Sequence, residues 1–361
     1  MALQKSKILD FDAQSGGRAG KNNIDYFYND YLYDFKPLRS PYFNVTKLVK
    51  KGDFKRVQWL ILNTYKIGSL EYGNWVNQHR RIDFELSLLV ALYDFNKILN
   101  FDNNNIGVNG LLNVSFGARG VSSAFAHYEP LSKVINLSRD RRVDKQINPL
   151  TGNKIVVFKE DKELYQKIKK QLREQHSGYG SFAHEYGHFL DYIIAEKFIK
   201  NRHIALSGGV SKLFSYKNID IAFNHFQNSI EYANITTNIE LSVYAILSRL
   251  LFNIRTNKNG EILKVSPTSY YKRLYGFAEK KGDYWIRLNE IWARTFEILI
   301  AYKLKKINIV DKFLVKEGKG KYRDELQGYY KKVYPTFGEV INLIKPFNEF
   351  LNQTNKLINK K

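Results

Sequence analysis

The run His184-Glu185-Tyr186-Gly187-His188 constrains this chain more than any other stretch. Histidines at i and i+4 reach one ion only from an α-helix, because 3.6 residues per turn places both rings on one face. Glu185 follows the first histidine and points towards the open side of such an ion, where its carboxylate can take a proton from water. Phe182, Phe189, Leu190, Ile193 and Ile194 supply an apolar surface, so the spacing predicts an amphipathic helix from about Phe182 to Lys200. Ser177-Gly178-Tyr179-Gly180-Ser181 breaks the chain just before it. The competing reading is a buried helix with two structural histidines.

Composition narrows the metal chemistry. The 361 residues include no cysteine, which excludes disulfides, a catalytic thiol, thiolate zinc sites and iron–sulfur clusters. A transition metal must then sit on His, Asp or Glu, and Zn2+ is the ion this motif suits. A catalytic zinc needs a third protein ligand. Glu290 is the favoured choice; Asp191, three residues after His188, is equally a residue that orients a ligand histidine, and Glu240 is a weaker alternative. Glu290 and Glu297 are seven apart, so both lie on one face of a strongly helical segment. Asn289 and Glu297 are supporting candidates, with Glu297 as a partner for Arg294 the plainer reading.

Elsewhere the chain reads as α+β. Apolar spacing predicts a helix over 77–100, and strands are expected at 111–119, 124–128 and 134–138. Mostly helical sequence is expected to continue to about residue 304. Residues 1–38 read as an N-terminal extension, 39–304 as the main domain with a charged insertion at 139–174, and 305–361 as a basic extension, helical or partly disordered. His127 and Tyr128 either face a cleft, where they help to stabilise an oxyanion, or simply pack. Arg119 binds a carboxylate, either a substrate's or that of Glu129.

Lys+Arg number 57 and Asp+Glu 35, a net charge of +22. Residues 303–361 alone hold 14 Lys+Arg against 6 Asp+Glu. Such a balance attracts nucleic acid, anionic membrane or acidic protein without choosing among them. The first 14 residues hold no apolar run of signal-peptide length, and no stretch approaches 18 apolar residues. The expectation is a protein made in a cytoplasm, with no membrane span.

The motifs resemble a known family in order as well as kind. Ser115-Phe116-Gly117-Ala118-Arg119-Gly120, Ala126-His127-Tyr128-Glu129-Pro130, Val134-Ile135-Asn136-Leu137 and the run from Ala183 to Asp191 follow one another as in the large polyvalent protein-associated domain type 1. The likeness extends to Tyr72-Gly73-Asn74-Trp75-Val76 and Val108-Asn109-Gly110 upstream. Downstream it takes in Tyr284-Trp285 and the run from Glu290 to Glu297, so that it spans about 70–304. Asn289-Glu290 also resembles the Asn-Glu pair that supplies the third ligand in gluzincins. The resemblance implies a zincin-like metallopeptidase fold, with a small mixed sheet, an active-site helix and a mostly helical C-terminal part. It implies a setting in phages and mobile elements, whose long proteins enter a bacterial host with DNA, so the host cytoplasm or a virion is the expected location.

The leading expectation is therefore a zinc metallopeptidase acting on a peptide or protein substrate. His184, His188 and Glu290 are its ligands, Glu185 its general base, and His127 or Tyr284 a donor to the oxyanion. The rival is a basic component of nucleic-acid complexes or virions, bound through the insertion and tail, with a structural or vestigial metal site. A metal-dependent nuclease is weaker, because no dense Asp/Glu cluster is present.

Overall fold

Short apolar runs, separated by turns and by one long helix, build a small sheet in the first part of the described chain. The structure, a computed structural model, describes residues 54–73, 78–119, 126–137, 180–199, 205–309, 311, 313–315 and 332–360. The expected extension at 1–38 and the charged insertion at 139–174 lie outside the described residues. The described chain divides into two units: residues 1–185 with 304–318, and 186–303 with 319–361.

In the first unit, α1 (Phe54–Trp59) leads into β1 (Ser69–Tyr72), followed by α2 (Gln78–Leu99), β2 (Asn113–Phe116), β3 (Ala126–Glu129) and β4 (Val134–Leu137). The strand order is β1-β2-β4-β3, with β1–β2 and β2–β4 parallel and β3–β4 antiparallel. The sheet is thus small and mixed. Strand β2 is shorter than the sequence pattern suggests. Gly117 takes φ +65° and turns the chain out of β2, while Leu111 is still in the preceding turn. Phe84 of α2 stacks on Phe116 at 4.8 Å between ring centroids, and Phe116 on Tyr72 at 5.6 Å.

The acidic side chains of Glu85 and Asp94 on α2 are buried despite their charge. Glu85 is fully buried, accepts a hydrogen bond from Gln58 Nε2 at 2.7 Å and a very short one from the Tyr72 hydroxyl, and lies near Arg81. Burial raises its pKa from 4.5 to about 7, against the opposing pull of these hydrogen bonds and of Arg81. The folded chain therefore keeps a proton that the unfolded chain releases near 4.5. Stability should fall as pH rises from about 4.5 to about 7, by about 3 kcal/mol, and then level off. Glu85→Gln keeps an acceptor for both donors and removes this dependence. Urea unfolding at pH 5 and 7.5 should show a smaller difference for the variant than for wild type; equal differences would refute the assignment.

The rest of the described chain, most of it in the second unit, is helical with one exception. The chain runs through α3 (Phe182–Phe198), α4 (Ile219–Ser229) and α5 (Asn238–Leu251) to β5 (Phe252–Thr256) and β6 (Ile262–Pro267). After these come α6 (Ser269–Lys281), α7 (Leu288–Lys306), α8 (Phe337–Val340) and α9 (Ile344–Ile358). The antiparallel hairpin β5–β6 corrects the helical expectation for this stretch. Phe252 anchors it, packing at 5.0–5.4 Å from the rings of Phe223, Phe226 and Tyr271. The basic tail is not all appendage either. Phe347, Phe350, Leu351 and Ile358 of α9 are buried, α9 packs on α5, and Phe350 meets Trp292 at 5.0 Å. Arg273 clamps the same region with a two-pronged ion pair to Glu339, at 2.9 and 2.8 Å.

Candidate metal centre

Helix α3 starts at Phe182, after Gly180 at φ +77° and Ser181. It runs as one helix through both histidines, so His184 and His188 stand one turn apart on it. Its apolar residues Phe189, Leu190, Ile193 and Ile194 are fully buried, as the spacing requires. Helix α7 brings Glu290 to His188, with Nε2 and Oε1 3.5 Å apart. The ligand atoms of His184, His188 and Glu290 all lie within 4.8 Å of one another.

This set suits a zinc ion. Ligands about 2.0–2.1 Å from a tetrahedral ion stand about 3.4 Å apart, close to the observed His188–Glu290 separation. The widest pair would close by roughly 1–1.5 Å on binding. Two imidazoles and one carboxylate also leave a fourth position open, the pattern of catalytic rather than structural zinc. Among the described residues no other group of three or more His, Cys, Asp or Glu comes together in this way.

Backbone contact sets the distance between the two helices. Gly187, between the histidines, faces α7: a Cβ there would stand 3.1 Å from Phe296 Cβ and 3.3 Å from Ala293 Cα. Trp292, fully buried, donates from Nε1 to the Gly187 carbonyl at 2.9 Å. Arg294 braces the start of α7 by donating to the carbonyls of Glu290 and Trp285, at 2.9 and 2.5 Å. In the sequence Gly187 and Trp292 stand only as members of longer motifs, with no role of their own. A glycine inside an otherwise apolar helix was the available signal, since it costs helix stability unless close packing needs it.

The other candidates fall in several places. Glu185 is buried at the first turn of α3. Asp191 is fully buried and accepts from Ser207 twice, from N at 2.8 Å and from Oγ at 2.6 Å. Burial raises its pKa to about 6, opposed by the Ser207 hydrogen bonds and the nearby His188. Its hydrogen bonds thus tie the 205–208 loop to α3. Asn289 donates from its backbone to Gly209 and from its side chain to the Tyr192 hydroxyl, at 2.9 and 3.4 Å. Glu297 accepts from the Tyr334 hydroxyl at 2.8 Å, and Arg294 turns to the carbonyls instead.

Glu240 is not a ligand of this group. It closes a capping box at the start of α5, where Oε2 accepts from the Thr237 backbone at 3.0 Å and Thr237 Oγ1 accepts from the Glu240 backbone. Tyr284 is 44 % exposed, packs edge-on to Trp285 and lies under Arg287. His127, on β3, sits in an ion-pair cluster: its Nε2 is 3.2 Å from Glu129, and Arg119 binds both Glu129 and Glu71 at 2.7–2.9 Å. The plain pairing of Arg119 with Glu129 is the one observed.

Residues 277–357 match the family model of the large polyvalent protein-associated domain 1. The matched segment starts late in α6 and takes in α7, α8 and most of α9. It carries Tyr284, Asn289, Glu290, Trp292 and Glu297, and it reaches well into the tail first read as an extension. The two histidines precede it. No curated protein and no solved structure matches the chain. No helix among the described residues is long and apolar enough to cross a membrane.

Proposed function

We propose that this chain is a zincin-like metallopeptidase with His184, His188 and Glu290 as its metal ligands. The observation that carries the proposal is the meeting of those three donors from two helices distant in sequence. Zinc, when bound, acts as a Lewis acid towards a peptide carbonyl and makes water more acidic. The rest is the work of the chain. Glu185 takes the proton from the attacking water and delivers it to the leaving amine. Either His127 or Tyr284 is the proposed donor to the oxyanion. Asp191, three residues after His188, holds α3 to the 205–208 loop. The polyvalent protein-associated segment suggests work on proteins in a phage or mobile-element setting inside a bacterial host.

The test is metal content by elemental analysis after reconstitution, with peptide cleavage measured alongside. Wild type should take up one zinc per chain, and His188→Ala and Glu290→Ala should each abolish stoichiometric uptake. A wild-type protein that takes up no metal under these conditions would end the proposal.

A further inference from the structure

The hairpin β5–β6 concentrates positive charge that neither the fold nor the metal centre uses. Its register sets Asn253 opposite Ser266 and Arg255 opposite Lys264. Residues two apart on a strand share a face, so these four form one face of the ribbon. Arg249, near the end of α5, and Lys345, at the start of α9, join them around a cavity of about 740 Å3. Four cations line it and no carboxylate does. None of the four enters an ion pair among the described residues.

This arrangement is costly for a bare protein. Like charges set directly opposite on two strands repel and weaken the pairing. Here Arg255 faces Lys264 with no acid between them, on a hairpin of only two strands. An anion resolves the conflict. We propose that this cavity binds the phosphodiester backbone of single-stranded nucleic acid.

The form of the cavity supports a single strand. Its charges come from a helix end, two strands and a second helix start, so four separate elements present cations to one open cavity. Its volume admits a few nucleotides of one strand, whereas a duplex presents grooves that protein elements enter. A flat lipid surface does not fill a concavity. The only aromatic ring in the lining, Phe252, is 2 % exposed, so no platform for base stacking exists. Binding should therefore follow backbone charge and ignore sequence.

Fluorescein-labelled dT20 serves as the probe, its dissociation constant measured from 50 to 200 mM salt. Arg255→Gln/Lys264→Gln should weaken binding at least about tenfold at 50 mM salt. Each phosphate contact to a single strand contributes about 0.7 to the log–log salt slope, so losing two should flatten it by about 1.4. Lys280→Gln/Lys281→Gln removes equal charge from the last turn of α6 and should change neither value to that extent. Removing the repulsion should also leave the hairpin variant at least as heat-stable as wild type, which separates lost binding from lost folding.

Equal affinity and slope for wild type and the hairpin variant would overturn the proposal. So would displacement of dT20 by inorganic phosphate or AMP at equal phosphate concentration, which would mark a site for small anions. Vesicle binding that depends on the same residues while dT20 does not bind would mark a membrane surface instead.

Discussion

Glu185→Gln is expected to lower peptide hydrolysis by about 10²–10⁴-fold while zinc stays at one ion per chain. The amide matches the carboxylate in shape, so a side chain only 6 % exposed can be exchanged without a new void. What the variant loses is the capacity to accept a proton. Glu185 is also absent from the group of three converging donors, so metal uptake should survive. This split between uptake and turnover makes the variant informative. If it cleaves as fast as wild type, Glu185 is not the base. If it loses the metal together with the activity, Glu185 is a ligand and the three-donor assignment is wrong.

Trp292→Ala should destabilise the second unit by about 3–5 kcal/mol, the usual cost of deleting a large buried aromatic side chain. Trp292 is fully buried against Phe296 and Phe350, and it makes the one side-chain hydrogen bond to the Gly187 carbonyl. Trp292→Phe keeps most of the ring and loses the hydrogen bond, so it should cost nearer 1 kcal/mol. Denaturant unfolding gives both values. Zinc affinity should fall in the alanine variant even where it remains folded, because α7 carries Glu290. An alanine variant within 1 kcal/mol of wild type, with unchanged zinc affinity, would show that Trp292 does not set the helix spacing.

Much of the site could be read before the fold was known. His184 and His188 follow from their i, i+4 spacing, and Glu290 from the resemblance of Asn289-Glu290 to the gluzincin pair on a strongly helical run. Glu240, the weaker alternative, lies three residues after a threonine, which is the spacing of a capping box, and its bonds to Thr237 decide for the cap. Asp191 lay near the right face, but its partner Ser207 belongs to a loop that no periodicity marks. The hairpin β5–β6 was hidden by the helical runs on either side of it. Its signal was present in the alternation Phe252, Ile254 and in Asn259-Gly260, where Gly260 takes φ +84°. The Glu85 network was illegible for another reason: a charged residue among apolar neighbours on α2 looks like the solvent face until Tyr72 and Gln58 are seen around it.

The hydrogen bond from Trp292 to Gly187 joins residues 105 apart in the sequence, and this separation bears on how the protein is made. At about 5–20 residues per second, α7 leaves the ribosome about 5–20 s after α3. During that interval the two histidines exist without their carboxylate partner, and Tyr186 without the Phe296 ring it packs against. Closing so long a loop must come before any of its contacts can repay the lost chain entropy. The donors therefore assemble late, as a result of tertiary docking, and a metal ion met by the nascent chain would find only a pair of imidazoles on an unsupported helix.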